Sequence, residues 1–212
     1  MDAAGIIFDL DGVLLDTVPA HFEAWQRSFR SVGVDFDAAS YREHVDGRPV
    51  RDGARAVIGD HDEAALEAVV AMKERLYTDI IEAGEFKVFA DVPPILQALS
   101  RRGIPQAVAS SNNQARRLLA LANLSEYFEA IICGDDVACG KPAPDIFLVA
   151  AGRLGLPPAR CIVVEDSIAG LSAARDGGFI PIALLRNGDS VLLPQVKRTI
   201  TSLRDLQTEL AL

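Results

Sequence analysis

Apolar residues recur along this chain in two rhythms. From residue 86 onward, short unbroken apolar runs alternate with longer stretches whose apolar positions follow helical spacing. The unbroken runs cover 106–109, 130–133, 161–164 and 180–184, and a shorter β-like piece occupies 87–89. Between them, Val92-Pro93-Pro94 opens a helix running to about Arg102, where Gly103 ends it. Further helices are expected over 113–122, 143–154 and 168–176. Strands without a polar face need cover on both sides, so this order predicts a parallel sheet with helices on both faces. The apolar run at 5–8 adds one more strand at the start.

Residues 19–84 break the alternation. Pro19 suits the first turn of a helix over 19–32, in which Phe22, Trp25, Phe29 and Val32 form one apolar stripe. Residues 35–60 read as irregular or as short helices around the turn Asp46-Gly47-Arg48-Pro49. A longer helix over 63–83, capped by Asp60 or Asp62, carries Leu66, Val69, Leu76 and Ile80 on one stripe. The expected fold is therefore α/β: a Rossmann-like parallel-sheet core of residues 1–16 and 86–212, with a helical domain of 17–85 inserted after the first strand.

Composition narrows the class. A chain of 212 residues, 50% hydrophobic and 24% charged, can bury a sizeable core and reads as globular. Its formal net charge of −9 argues against a nucleic-acid backbone as partner, while a local basic pocket stays compatible with it. No apolar stretch is long enough for a membrane span and residues 1–30 lack a signal pattern, so the expected location is cytoplasmic, as a monomer or weak dimer. Cys133, Cys139 and Cys161 show no zinc or redox spacing and read as reduced thiols.

The candidate chemistry starts at the end of the first strand, in Phe8-Asp9-Leu10-Asp11-Gly12. Alternate residues of an extended segment point the same way, so Asp9 and Asp11 bring two negative charges together. Mg²⁺ would offset them, because hard dications take carboxylate and carbonyl oxygens and Gly12 permits a tight turn around the ion. Taken alone, Asp-x-Asp-Gly also fits an ordinary acidic turn. Other strand ends carry Ser110-Ser111-Asn112-Asn113 and Glu165-Asp166-Ser167, and the loop after Cys133 leads to Gly140-Lys141-Pro142. Each alone reads as a helix cap, an acidic helix start or a surface lysine. In an open parallel sheet the carboxyl ends of the strands share a rim, so these groups converge there. Carboxylates, a hydroxyl and an ammonium in one place suit phosphoryl transfer, which needs an in-line nucleophile, cations, donors to the phosphoryl oxygens and an acid for the leaving group.

Within the inserted helices three features have two readings each. His21 is a packed side chain or an acid-base group. Lys73 interrupts an apolar stripe either by snorkelling to solvent or by facing an enclosed anion. Arg48, Arg51 and Arg55 form a solvated face or an anion-recognising loop.

Taken in order, the motifs resemble those of the haloacid dehalogenase superfamily, in the subgroup that contains β-phosphoglucomutase and small sugar-phosphate phosphatases. Residues 8–17 match its first motif, Ala109-Ser110-Ser111-Asn112 the second, residues 140–145 the third and residues 164–170 the fourth. The resemblance covers nearly the whole chain. It implies a Mg²⁺-dependent phosphotransferase acting on small phosphorylated metabolites, with Asp9 as the nucleophile that forms a phosphoaspartyl intermediate. Asp11 would be the general acid and base, and its carbonyl a metal ligand. Ser110 and Lys141 would hold the transferring phosphoryl group; Asp166 would be a direct metal ligand and Glu165 a direct or water-mediated one. The helical domain would be a mobile cap hinged near Thr17 and 85–88. Asp11 also favours phosphate chemistry, since dehalogenating members lack it and a halide leaves without a proton.

His21 and Trp25 sit in the register of the mutase's first cap helix and Lys73 matches a cap lysine that contacts substrate there; Ser111, Asn112 and Asn113 are further substrate-binding candidates on the core side. Arg51 is expected to be the counterpart of the mutase's phosphate-binding arginine, with Arg48 as competitor. One departure stands out: Asn113 occupies the place of a lysine that binds the non-transferring phosphate in the mutase. An amide donates but does not offset charge, so hydrolysis of sugar-phosphate monoesters is the expected activity and β-phosphoglucomutase activity the alternative. A binding module that had lost catalysis would lack Asp9, Asp11, Lys141 or Asp166, and all are present.

Overall fold

The computed structural model describes residues 4–60, 62–186 and 196–209. The chain begins with strand β1 (Gly5–Phe8), turns through Gly12 into β2 (Leu15–Asp16) and enters a helical segment of α1 (Val18–Ser31), α2 (Ala38–Ser40), α3 (Val50–Ile58) and α4 (Glu63–Glu82). It returns through β3 (Lys87–Val88) and continues as α5 (Val92–Arg101), β4 (Gln106–Ala109), α6 (Ala115–Leu121), β5 (Ala130–Ile132) and α7 (Asp145–Arg153). The last part comprises β6 (Cys161–Glu165), α8 (Ile168–Asp176), β7 (Ile180–Leu184), β8 (Thr199–Ile200) and α9 (Leu206–Glu209). A π-helical turn, Tyr41–Val45, follows α2.

The main sheet has the order β5-β4-β1-β6-β7-β8, and every neighbouring pair is parallel. Placing β1 between β4 and β6 puts Asp9 and Asp11 at the centre of the rim, flanked by the loops after β4 and β6. Strand period decides the two faces. Ile6 and Phe8 pack on one side with Ile95, Leu96 and Leu99 of α5, while Ile7 packs on the other with Phe147 of α7 and Ala173 of α8. Because β1 is wholly buried, its sequence carries no polar alternation. The helical segment has a core of its own, centred on Trp25, Phe29, Phe36, Leu66 and Val69.

The two passages between core and helical segment lie side by side. Strands β2 and β3 pair antiparallel, Leu15 opposite Val88 and Asp16 opposite Lys87. Most elements stand where the apolar pattern puts them, with shifts of a residue or two at their ends. The pattern did not predict β8, which is only two residues long, nor the π-helical turn. Among the described residues no helix is long and apolar enough to cross a membrane.

Candidate active site

The end of β1 sets the first half of the site. Asp9 accepts from Lys141 Nζ at 2.5 Å, and the same ammonium donates to Glu165 Oε1 at 2.6 Å and to the Ala109 carbonyl at 3.1 Å. Lys141 is 1% exposed, so the ammonium is a fixed charge between two strand ends. Burial alone would lower its pKa, but Asp9 and Glu165 together raise it, and it stays a cation. The other oxygen of Glu165 accepts from the amides of Asp166 and Ser167, both at 2.9 Å, and from Ser167 Oγ at 3.0 Å. Gly170 closes this cage, since a Cβ there would strike the Glu165 carboxylate. Glu165 therefore stands one layer behind the cavity, with both oxygens engaged.

Carboxylates outnumber cations at the rim. Burial, then Glu165 and Asp11, outweigh Lys141 and raise the Asp9 carboxyl well above its ordinary value. Burial together with Glu165, Asp46 and Asp9 does the same to Asp166, and Asp46 is pushed up to about 7 by burial, Glu165 and Asp11. Hard oxygen donors crowded against one another out of solvent are the donor set a divalent cation takes. Among the described residues no three acidic, histidine or cysteine side chains are already drawn together as a finished metal centre. Asp9, Asp46 and Asp166 all present carboxylates to the same cavity. Gly12 lies against Asp166 with φ +81°, where a Cβ would strike the Asp166 carboxylate.

The second half of the site joins Asp11 to the helical segment. Thr17 Oγ1 donates to Asp11 Oδ1 at 2.5 Å, Asn112 Nδ2 lies 3.2 and 3.1 Å from the two carboxylate oxygens, and His21 Nε2 is 3.3 Å away. The Tyr77 hydroxyl accepts from Asn112 at 2.8 Å and donates toward Asp11 at 3.4 Å, while its ring stacks on His21 with centroids 3.9 Å apart. Burial alone would raise the Asp11 carboxyl, yet His21, Thr17 and Asn112 hold it well below the ordinary range. For His21, burial lowers the pKa against the opposing pull of Asp11, and Lys73 lowers it further. The neighbouring carboxylates Asp9 and Asp11 thus sit in unlike surroundings, one pinned by an ammonium and one ringed by hydroxyl, amide and imidazole groups.

The cavity between the two halves has a volume of about 320 Å³. Asp9, Asp11, Ser110 and Asp166 face it from the core, as do Ser111, Asn112 and Asn113; His21, Trp25, Arg48 and Lys73 face it from the helical segment. The two sides touch at its edge, where Ser111 Oγ donates to the Gly47 carbonyl at 2.9 Å. Lys73 Nζ lies 4.6 Å from the Tyr77 ring centroid and 5.6 Å from that of Trp25. With 3% of the residue exposed, it faces inward and does not snorkel.

Arg51 is a correction. It stands in the first turn of α3 facing α4, where it binds Glu63 and, at 2.5 Å, Glu67, outside the cavity. Arg48, in the preceding turn, is the arginine that faces the cavity. Arg116 and Arg117 are likewise spent elsewhere, on Asp136 and Glu82. Asn113 exchanges hydrogen bonds with Asp135, donating at 2.7 Å and accepting from its amide at 3.0 Å. The sequence reading missed Tyr77, Asp46 and Asp135. Tyr77 follows Leu76 on the buried side of α4 and reads as packing; Asp46 and Asp135 lie in turns where aspartate is ordinary.

Residues 3–178 match the family model of haloacid dehalogenase-like hydrolases. The chain belongs to that family. Among relatives, fructose-1-phosphate phosphatase YqaB of Escherichia coli is 34% identical over 179 residues, spanning 83% of this chain and 93% of its own length. The β-phosphoglucomutase of Mycobacterium bovis is 31% identical over 222 residues, spanning 91% and 85%. The crystal structure of CbbY from Rhodobacter sphaeroides, in complex with phosphate, superposes with a TM-score of 0.80 at 28% identity over 96% of each chain. This hydrolase is an enzyme of the phosphatase and mutase branch, in a family whose members generally use a divalent metal.

Proposed function

We propose that this enzyme hydrolyses small sugar-phosphate monoesters, carrying the phosphoryl group on Asp9 with Mg²⁺ as its metal, and that residues 17–85 act as the cap. The observation that carries this reading is the unlike pair at the end of β1: Asp9 fixed by Lys141, and Asp11 within reach of His21, Thr17, Tyr77 and Asn112. A nucleophile benefits from a fixed position and an acid or base from donors that can rearrange. The likeness to YqaB, whose name specifies fructose 1-phosphate, supports the substrate class.

In the first step an Asp9 oxygen attacks phosphorus and the bond to the leaving oxygen breaks; Asp11, held ionised by His21, Thr17 and Asn112 before substrate enters, takes up a proton as substrate displaces those donors and passes it to the leaving oxygen. In the second, Asp11 takes a proton from water as the water oxygen attacks the phosphoaspartate, releasing phosphate and restoring the Asp9 carboxylate. Ser110, which faces the cavity, holds a phosphoryl oxygen during both steps, while Lys141, its three protons on Asp9, Glu165 and the Ala109 carbonyl, stands behind Asp9 and offsets negative charge as the carboxylate attacks. Asp9, the Asp11 carbonyl and Asp166 would hold Mg²⁺, which would supply positive charge against the phosphoryl group. Glu165 acts through Lys141 and the Asp166 amide, which it orients.

The cavity's charges favour water over a second sugar phosphate as acceptor. A bisphosphate turning in place needs cations at both ends, and here Asn113 is tied to Asp135 while Arg51 is turned away. The mutase reading rests on Arg48, Lys73 and the likeness to the M. bovis enzyme. Product analysis separates the two: β-glucose 1-phosphate with catalytic β-glucose 1,6-bisphosphate, beside a panel of monoesters. Free phosphate is expected to form faster than glucose 6-phosphate, and the reverse order would overturn the choice of hydrolysis.

A further inference from the structure

Arg186 lies just beyond β7, outside the sequence motifs and outside the residues matched by the family model. Its side chain is 13% exposed and its guanidinium joins distant segments. Nε donates to the Gly12 carbonyl at 3.2 Å, and one terminal nitrogen donates to the Val13 carbonyl at 2.7 Å. Both terminal nitrogens donate to Asp91, each at 3.0 Å, and the guanidinium lies 3.8 Å over the Phe89 ring. Asp91, 7% exposed, also accepts from Ser202 Oγ at 2.7 Å and the Leu203 amide at 2.8 Å. A planar fork with its donors fixed in direction suits this task; an ammonium does not.

The held carbonyls belong to the turn that aims Asp11. Within it the amides of Leu14 and Leu15 donate to the Leu10 carbonyl at 2.9 and 3.0 Å, and the Gly12 amide donates to the Leu15 carbonyl at 2.8 Å. The Phe89 amide reaches the Leu14 carbonyl at 3.3 Å. One side chain therefore locks the turn bearing Asp11 to the segment by which the chain returns from the helices. Asp9 does not depend on this lock, since Lys141 and the strand pairing of β1 fix it.

We propose that Arg186, seated on Asp91, is a positioning residue that sets the aim of Asp11 at the leaving oxygen. The proposal rests on the phosphatase reading given above for its kinetic consequence, and on geometry alone for its structural one.

The test uses Arg186→Lys, which keeps the charge and loses the fork, beside Ser202→Ala, which trims the far side of Asp91 and leaves the fork in place. The second-order constant kcat/KM reports binding and the first transfer step, and it is measured for a sugar phosphate and for 4-nitrophenyl phosphate. The nitrophenolate leaves without a proton, so mis-aiming Asp11 costs it little. In Arg186→Lys the sugar ester is expected to lose about tenfold or more and the aryl ester to stay within about threefold; Ser202→Ala should keep the wild-type ratio. Hydrogen exchange at Leu14 and Leu15, expected to quicken about tenfold or more in Arg186→Lys only, reads the lock without any turnover. Equal losses on the two esters, or turn amides as protected as in wild type, would overturn the proposal. Wild-type protein inactive on both esters would instead remove the phosphatase reading, and exchange would still decide the lock.

Discussion

Lys73 shows how burial tunes a single side chain that faces the cavity. Burial pushes its pKa down to about 8, against smaller upward pulls from Asp11 and Glu74. Between that value and the free-lysine value near 10.4, the unfolded chain holds more protons than the folded one, so this residue's cost to stability eases as pH rises. For binding the sign is opposite. Below about 8 Lys73 presents a cation to the cavity, and above it a neutral amine, so KM for a phosphate monoester should climb between pH 7 and 9. Lys73→Met should show a higher KM with that climb flattened; the same slope in wild type and variant would detach Lys73 from substrate binding. His21 has the same ambiguity in sequence, a lone polar group on a packed helix; in the structure it lies 3.3 Å from Asp11 with its ring stacked on Tyr77. A sequence places residues 21, 77 and 112 far apart, and nothing local to any of them reports the others.

At the scale of elements, the loop between the π-helical turn and α3 brings the helical segment against the rim. Gly47 adopts φ +70°, faces the Ser167 side chain where a Cβ would collide, and offers its carbonyl to Ser111. Gly47→Ala adds both backbone strain of about 1–2 kcal/mol and that collision, so the loop must back away from Ser167. kcat/KM should fall about tenfold or more, and an unchanged value would mean that this contact plays no part in closing the site. Element type was legible where a local rule governs: the buried strands at 106–109 and 180–184 and the helix at 168–176 follow from unbroken apolar runs and from Ser167 as cap. Arg51 was not legible, because α3 begins at Val50 and turns it toward carboxylates of α4 twelve and sixteen residues away. Pairs formed between helices leave no periodic trace in either one.

Across the whole molecule, the order of the sheet puts β1 between β4 and β6, so residues 9–11, which follow β1, are flanked by loops from both neighbours, with the loop after β5 also reaching the cavity. The fold class and the core residues of the site were legible because the opening strand, the serine after β4, the lysine before α7 and the acidic pair after β6 each stand at a strand end or helix start. The contacts around Asp11 were not, since they depend on how residues far apart in sequence meet: Thr17, Tyr77 and His21 from the helical segment, Asp11 and Asn112 from the rim of the sheet. The account centres on covalent transfer to Asp9, and peptide mapping after rapid acid quench of enzyme turning over a phosphate-labelled sugar monoester tests it most directly. Label on the peptide carrying Asp9, absent in Asp9→Asn together with turnover, is the expected result. Label on another residue, or full turnover by Asp9→Asn, would contradict it.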